Sequence, residues 1–481
     1  MRCLLPLFAL LIAAGPAVAD EPESLRDYAK RSTSRHAVGL YVQNKKIGWM
    51  TNATKLATRD GQEVAVEITE MLIKMVSDGE LTELGQKGET VYALTGDGEI
   101  LSAEERTTQD KQDTVHKIVR TQKGLKVTTT VGSRTQTREV PLPKETLGQT
   151  RRLEQWLTAG PAVGKTFTHY GTDWDAADVN VADVMTYQGK KKLVWGGVPT
   201  DVYLVKITSK GAIFDAEILS NGDPLRGKIG PLIEVRAETE ELAKKLEAAS
   251  IDMMAASSIK VDRDLGNAKQ ITALTLEVIG LGDFKLPQSH RQRVRRDEGK
   301  AVLELKRDFR VAKAAPLSDA ERKRFTTATP TVQSDQEPIK QLAAKLVGAE
   351  TDPLKKADLL KSWVYKTLRK TMACNATTAL AVLDNKAGDC TEHTLLFVAL
   401  ARAAGVPARE LTGVAYVSPI FGWHAWAEVH DGQQWVSVDP TWNELYVDAT
   451  HITFAHDTDD HSWLNVLGVL RFKLIDRRVD E

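Results

Sequence analysis

Cysteine is scarce in this chain: three residues in 481, at positions 3, 374 and 390. Cys3 lies in a leader-like stretch, so at most one disulfide can form in what remains. Long apolar runs are also missing. No internal run approaches the roughly 20 residues of a membrane span, so no spanning helix is expected. Neither sign of charge dominates: 64 Lys and Arg stand against 65 Asp and Glu. The net charge of −1 gives no reason to expect nucleic acid or an anionic membrane as the main partner. Residues 37–221 contain no metal-ligand spacing, phosphate-binding loop or internal repeat.

What is present begins with a signal peptide. Arg2 gives a positive start, Leu4 to Ala14 is apolar, and Ala17-Val18-Ala19 is a small-residue cleavage site. The pattern predicts residues 1–19 as the leader and a mature start at Asp20, hence an exported, periplasmic or extracellular protein. The length suits about three domains. Residues 20–236 read as a β-rich domain after one short polar helix. Val64, Val66 and Ile68 alternate with polar neighbours, and short runs at 126–131, 202–207 and 213–219 repeat the pattern between Gly-rich turns. An antiparallel sheet, barrel or half-barrel is expected there. Tyr41, Trp49, Trp174 and Trp195 read as core rather than a binding face.

Residues 237–330 read as a second α+β region and linker. Thr239 caps a helix whose stripe is Leu242, Leu246, Ala249 and Met253, and strands follow around 274–278 and 303–311. The basic cluster His290, Arg291, Arg293, Arg295 and Arg296 reads as a solvated strand face or edge guard. A last domain spans 331–470.

Chemistry concentrates between Gly388 and Asp439. Cys390 to Ala404 has no internal Gly or Pro and reads as a helix, with Asp389 as its N-cap and Gly405 just past its end. Cys390 then sits in the first turn, where a thiol pKa can fall from about 8.5 into a range of roughly 3.5–7.5. Trp423 to His430 and Gln433 to Asp439 read as strands joined at Asp431-Gly432. A two-residue turn sets His424 opposite Asp439, with Cβ atoms about 4.5–5.5 Å apart. An imidazole and a carboxylate so placed share a hydrogen bond, the geometry of a base and its orienter.

Gly-Asp-Cys390, the helix ending Arg-Ala-Ala-Gly-Val-Pro-Ala-Arg409, the strand Trp423-His424-Ala-Trp-Ala-Glu and Val438-Asp439-Pro440-Thr441 resemble the transglutaminase-like superfamily. The resemblance covers roughly Glu337 to Ile452 and keeps the order Cys, His, Asp. It implies an α+β fold: a papain-like core whose cysteine-bearing helix packs on an antiparallel sheet, preceded by one or two β-rich domains. It also implies Cys390 as nucleophile, His424 as base and Asp439 as orienter, acting on a peptide or protein substrate without a cofactor. In some related enzymes a tryptophan upstream of the nucleophile assists the oxyanion, which makes Trp363 a candidate; core packing is the plainer reading.

Trp423 is a candidate cleft wall, and so are Trp426, Trp435 and Trp442. His393, three residues after Cys390, shares its helix face and is a candidate to tune the thiolate. His451 with His456 to His461 offers ligands for a divalent metal but lacks a calcium loop, so it reads as a polar surface loop and no metal is expected. For Cys374 and Cys390 two readings stay open: a disulfide, or a nucleophile beside a small buried hydrophobe. The function expected is cysteine-dependent acyl transfer on amides, by hydrolysis or transamidation. The alternative is a non-catalytic cell-envelope binding protein that uses the last domain as a scaffold.

Overall fold

The alternation in the sequence is realised as buried and exposed strand faces. In the strand Asp178–Trp195, residues Val179, Val181, Asp183, Met185 and Tyr187 are buried and their neighbours are not, because successive side chains of a strand point to opposite faces. A computed structural model describes residues 23–480 except 33–34, 78, 110–111, 133, 175–177, 247–250, 298–299, 312–314, 372–375 and 457–459. The expected leader and Cys374 lie outside the described residues. Two compact units divide the chain, Met1–Asp252 and Met253–Glu481.

Among the described residues, the first unit is built on one fourteen-stranded antiparallel sheet. Eight strands, from Arg35–Val42 to Arg134–Val140, follow one another as a meander. Six more, from Thr166–Asp173 to Ile233–Ala237, do the same, and the two runs join where Ile233–Ala237 pairs with Arg35–Val42. The helix Leu25–Arg31, capped by Ser24, packs Leu25, Tyr28 and Ala29 against Ile100, Ile118 and Val127. The helix Leu147–Thr158, capped by Thr146, gives Leu147 to that cluster and Leu153 and Leu157 to a second with Met185, Tyr203 and Ile207.

The second unit does not contain the separate region expected over 237–330. The strands Ile259–Val261, Ile271–Ile279, Gln292–Asp297 and Lys300–Lys306 lie in the same sheet as the strands of the last domain. The link is the strand Ile259–Val261, which pairs with Ile420–His430 on one side and with Arg471–Val479 on the other, and Arg471–Val479 pairs in turn with Ile271–Ile279. No sequence signal marks a pairing between segments about two hundred residues apart. The helix expected from Thr239 is short, Glu240–Lys244, and another covers Met253–Ser257; Ala249 lies outside the described residues. Within the basic cluster, Arg293, Arg295 and Arg296 lie exposed on or beside the edge strand, but Arg291 is buried and donates to the Asp448 carbonyl.

One sheet face carries Leu274, Leu276, Leu303, Leu305, Val414, Phe421, Phe454 and Phe472. The helix Cys390–Ala403 packs on the strands Ile420–His430 and Ala408–Val417 and is flanked by the helices Glu337–Val347, Pro353–Thr367 and Ala379–Asn385. It is buried from Glu392 through Ala401, as an all-round apolar helix must be. Its start is closed by a capping box of Asp389 and Glu392, and Gly405 beyond its end has φ +77.

Gly413 lies opposite His424 in the sheet. A Cβ there would meet the Ile452 carbonyl oxygen at 2.0 Å and the Trp426 ring at 2.6 Å. Gly413→Ala should therefore destabilise the second unit by about 1–3 kcal/mol, the range of overpacking. Urea unfolding tests this, and an unchanged midpoint would mean that the sheet yields at no cost.

Candidate active site

The helix start places Cys390, the free cysteine of the described residues, at the first helical position, half-buried. Its sulfur receives the backbone amide of Ala425, the residue after His424. The nucleophile helix is thus seated on the histidine strand at the residue where the base would have to be.

The hairpin forms, but its register differs from the expected one. His430 pairs with Trp435 and Ala427 with Val438, so the loop holds four residues rather than two. Asp431 causes this: its carboxylate accepts from the amides of Gln433 and Gln434 at 2.8 Å each, and Gly432 adopts φ +97. The slip moves Asp439 two residues along, diagonal to His424 rather than opposite. An even slip keeps every side chain on its own face, and diagonal neighbours, about 7–8 Å apart, are within reach of long side chains. His424 Nε2 donates to Asp439 Oδ2 at 2.9 Å. A carboxylate only accepts, so Nε2 carries the hydrogen and Nδ1 is left as the basic nitrogen.

Asp439 is fully buried. Its Oδ1 accepts from the amides of Thr441 and Trp442, and its Oδ2 accepts from His424 and from a second histidine, His451, at 3.3 Å. Burial opposes ionisation, but His424 and then His451 outweigh it and hold the carboxyl well below the usual range. Trp442 lies flat on His424, with ring centroids 4.3 Å apart and planes at 13°. It closes one side of the imidazole and fixes its plane.

The thiol departs from the expected lowering. Burial pushes Cys390 up, and the Asp389 carboxylate adds to it, against the Ala425 amide. A helix end stabilises an anion by about 0.3–1 kcal/mol at an exposed site. Burial, the larger cause, outweighs that effect, and the Asp389 charge adds to it. Asp389 also occupies a helix-start donor, since its carboxylate takes the Thr391 amide at 2.7 Å. The resting nucleophile is a neutral thiol.

His393 is buried and donates from Nδ1 to the Asp389 carbonyl at 2.7 Å. Burial lowers its pKa and keeps it neutral; its one ring hydrogen bond among the described residues is to backbone, so no carboxylate orients it. Trp363 lies half-buried on Pro353–Thr367, beside the nucleophile helix. Trp423 is not a cleft wall. It points to the opposite sheet face from His424, donates to the Ser257 carbonyl at 2.9 Å and packs on Phe454 and Trp463. Of the four tryptophans, Trp442 is the one stacked closest on the His424 ring. His451 does not belong to a surface loop either, and His461 is also buried; Asp457 to Asp459 lie outside the described residues.

His424, Asp439 and His451 form one group, and Glu444, Asp448 and His451 another, whose ligand-type atoms lie within 4.8 Å of one another. In the first, both imidazoles donate to the carboxylate, which accounts for that spacing without a metal ion. A cavity of about 840 Å³ is lined by Lys269, Arg307, Asn443, Glu444 and Asp448 among others; Cys390, His424 and Asp439 do not line it.

Residues 340–440 match the transglutaminase-like superfamily. This stretch is a transglutaminase-like core. A protein of uncharacterized function from Haemophilus influenzae is 38% identical over 95 residues, 19% of this chain and 26% of the relative. The chain thus spans about a quarter of that curated relative's length. Among solved structures, a protein from Cytophaga hutchinsonii described as a candidate cysteine protease is similar over 44% of this chain and 87% of its own, at 19% identity and a TM-score of 0.29. The periplasmic domain of TgpA from Pseudomonas aeruginosa is similar over 41% and 85%, at 14% identity and a TM-score of 0.28. Among the described residues, no helix is long and apolar enough to cross a membrane.

The Asp439 carboxyl has a folded pKa below its unfolded value of about 3.9, so the unfolded chain binds the extra proton. The stability it contributes is complete above about pH 5 and is lost as pH falls below that. Asp439→Asn should flatten the acid limb of unfolding free energy against pH, measured by urea titration. An acid limb as steep as in the wild type would mean that the carboxyl is not held ionised.

Proposed function

We propose that this chain is an exported, cysteine-dependent acyl-transfer enzyme acting on peptide-like amides. The observation that carries the reading is the His424–Asp439 pair, whose free Nδ1 lies on the strand that meets the Cys390 sulfur. His424 Nδ1 takes the thiol proton. The sulfur attacks the carbonyl carbon of a carboxamide, and helix-start amides, that of Cys390 among them, stabilise the oxyanion. The imidazolium returns the proton to the departing amine, and a thioester remains. Water then gives a carboxylic acid and the free thiol; a lysine amine would instead give a new amide. Of the two outcomes, hydrolysis is the one we favour. Asp439 holds the tautomer and offsets the charge that His424 acquires. The leader pattern over residues 1–19 supports a site outside the cytoplasm.

The thiol is neutral at rest, so its reactivity should depend on the base rather than on a standing thiolate. Iodoacetamide labelling of Cys390 at pH 7, read by mass spectrometry, should slow by roughly 10²-fold or more in His424→Ala, the lower end of what a positioned base contributes. Labelling indifferent to His424 sinks the enzyme reading.

A further inference from the structure

His451 lies fully buried between two carboxylates. Its Nε2 is 3.3 Å from Asp439 Oδ2 and its Nδ1 is 3.4 Å from Asp448 Oδ1. Both oxygens are acceptors. A neutral imidazole has one N–H and one lone pair, so either tautomer would aim a lone pair at a carboxylate in a site closed to solvent. The imidazolium alone satisfies both sides.

We propose that His451 is a positioning residue: a buried imidazolium that clamps the Asp439 carboxylate against His424. This rests on the assignment of His424 as the base. The clamp is anchored at its far end. Asp448 Oδ1 accepts the amide and the hydroxyl of Thr450 at 2.7 Å each, and the Asp448 carbonyl accepts from the buried Arg291. At its near end, His451 and His424 share Asp439 Oδ2, so rotation of that carboxylate breaks both bonds at once. The rings of Trp426 and Trp442 close on His451 edge-on, with centroids 5.2 and 5.3 Å away, and leave little room for the imidazole to turn.

The charge matters as well as the contact. The His424 and His451 rings are 5.7 Å apart. A positive charge at that distance disfavours a second one on His424. The groups facing the pair are Asp439, Asp448 and Glu444, with the Cys390 thiol on the side of His424. The pKa of His451, raised to about 9 with Asp448 and Asp439 outweighing burial, agrees with a cation at neutral pH.

Two measurements test this on the full mature chain. Imidazole ¹⁵N spectra at pH 7, with the signal assigned by its loss in His451→Gln, should show both His451 nitrogens protonated. The pH profile of iodoacetamide labelling at Cys390 gives the second readout. His451→Gln should label about tenfold more slowly at pH 7, a loss typical of a removed orienting partner. Its acid limb should also move about 1 pH unit higher, because removal of a nearby positive charge favours protonated His424. Asp448→Asn should move the limb in the same direction by less. Thermal melts identify variants that fail to fold, and Asp448→Asn, which keeps the shape of the partner, then carries the test. A neutral His451 overturns the clamp. A uniformly lower rate with an unmoved limb reduces His451 to a packing role and overturns the effect on His424. Wild-type labelling that ignores His424→Ala overturns the enzyme reading, while the spectra still report on the clamp itself.

Discussion

A carboxylate with no access to water constrains the whole second unit. An ionised Asp439 taken out of solvent costs several kcal/mol unless donors replace the lost water. Four do: two backbone amides from the turn that follows it, and the ring N–H groups of His424 and His451. Each donor needs its own support. The amides require the chain to turn at once after the strand, so Trp442 lands on the His424 ring. The second imidazole requires Asp448, and Asp448 requires Thr450 and Arg291. Arg291 reaches Asp448 from the start of the strand region around 290–306, a segment far upstream in sequence that is part of the same sheet.

The scaffold tolerates error in some directions and not in others. Between His424 and Asp439 the hairpin can gain two residues and still pair the same side chains, because the face repeats every second residue. A gain of one would turn Asp439 away from the site. Between His424 and its other neighbour there is no such latitude. Gly413 sits directly opposite, and the Ile452 carbonyl and the Trp426 ring fill the space a side chain would need. The position of the base is fixed by close approach on one side and by hydrogen bonding on the other.

Much of this was legible from local chemistry. Asp389, the Gly- and Pro-free run after it and Gly405 define the nucleophile helix, and Asp431-Gly432 marks the hairpin. Both signals act over a few residues, where one sequence holds all the information. The loop length was not legible, because it depends on whether the Asp431 side chain takes two amides beyond it. The side of the sheet taken by Trp423 follows from strand alternation, which puts it opposite its neighbour His424 and Trp426 on the same face as His424; its partners Phe454 and Trp463 were not legible. His451 stood next to other histidines in the sequence and was grouped with them. Its partners are Asp439 and Asp448, and no periodicity links a residue just before one strand to the last residue of another. The pairing of Arg471–Val479 with strands near residue 275 is equally silent in one sequence, and it merges two regions that composition separates.

The thiol shows how two correct local rules can give the wrong sum. A helix start favours an anion, and a carboxylate is a good N-cap. Here they compete for the same amides. Asp389 satisfies the Thr391 amide and places a negative charge beside Cys390, while burial removes the water that would stabilise a thiolate. The balance favours a neutral thiol at rest, with the buried charges of the site held by Asp439, His451 and Asp448. Such a site stores no reactive anion. Charge separates only as the proton moves to His424, and at that moment Asp439 is already ionised, desolvated and aimed at the ring that becomes positive. In the proposed reaction the electrostatic work would therefore be done in advance by the fold, in a network where each buried charge already has a partner.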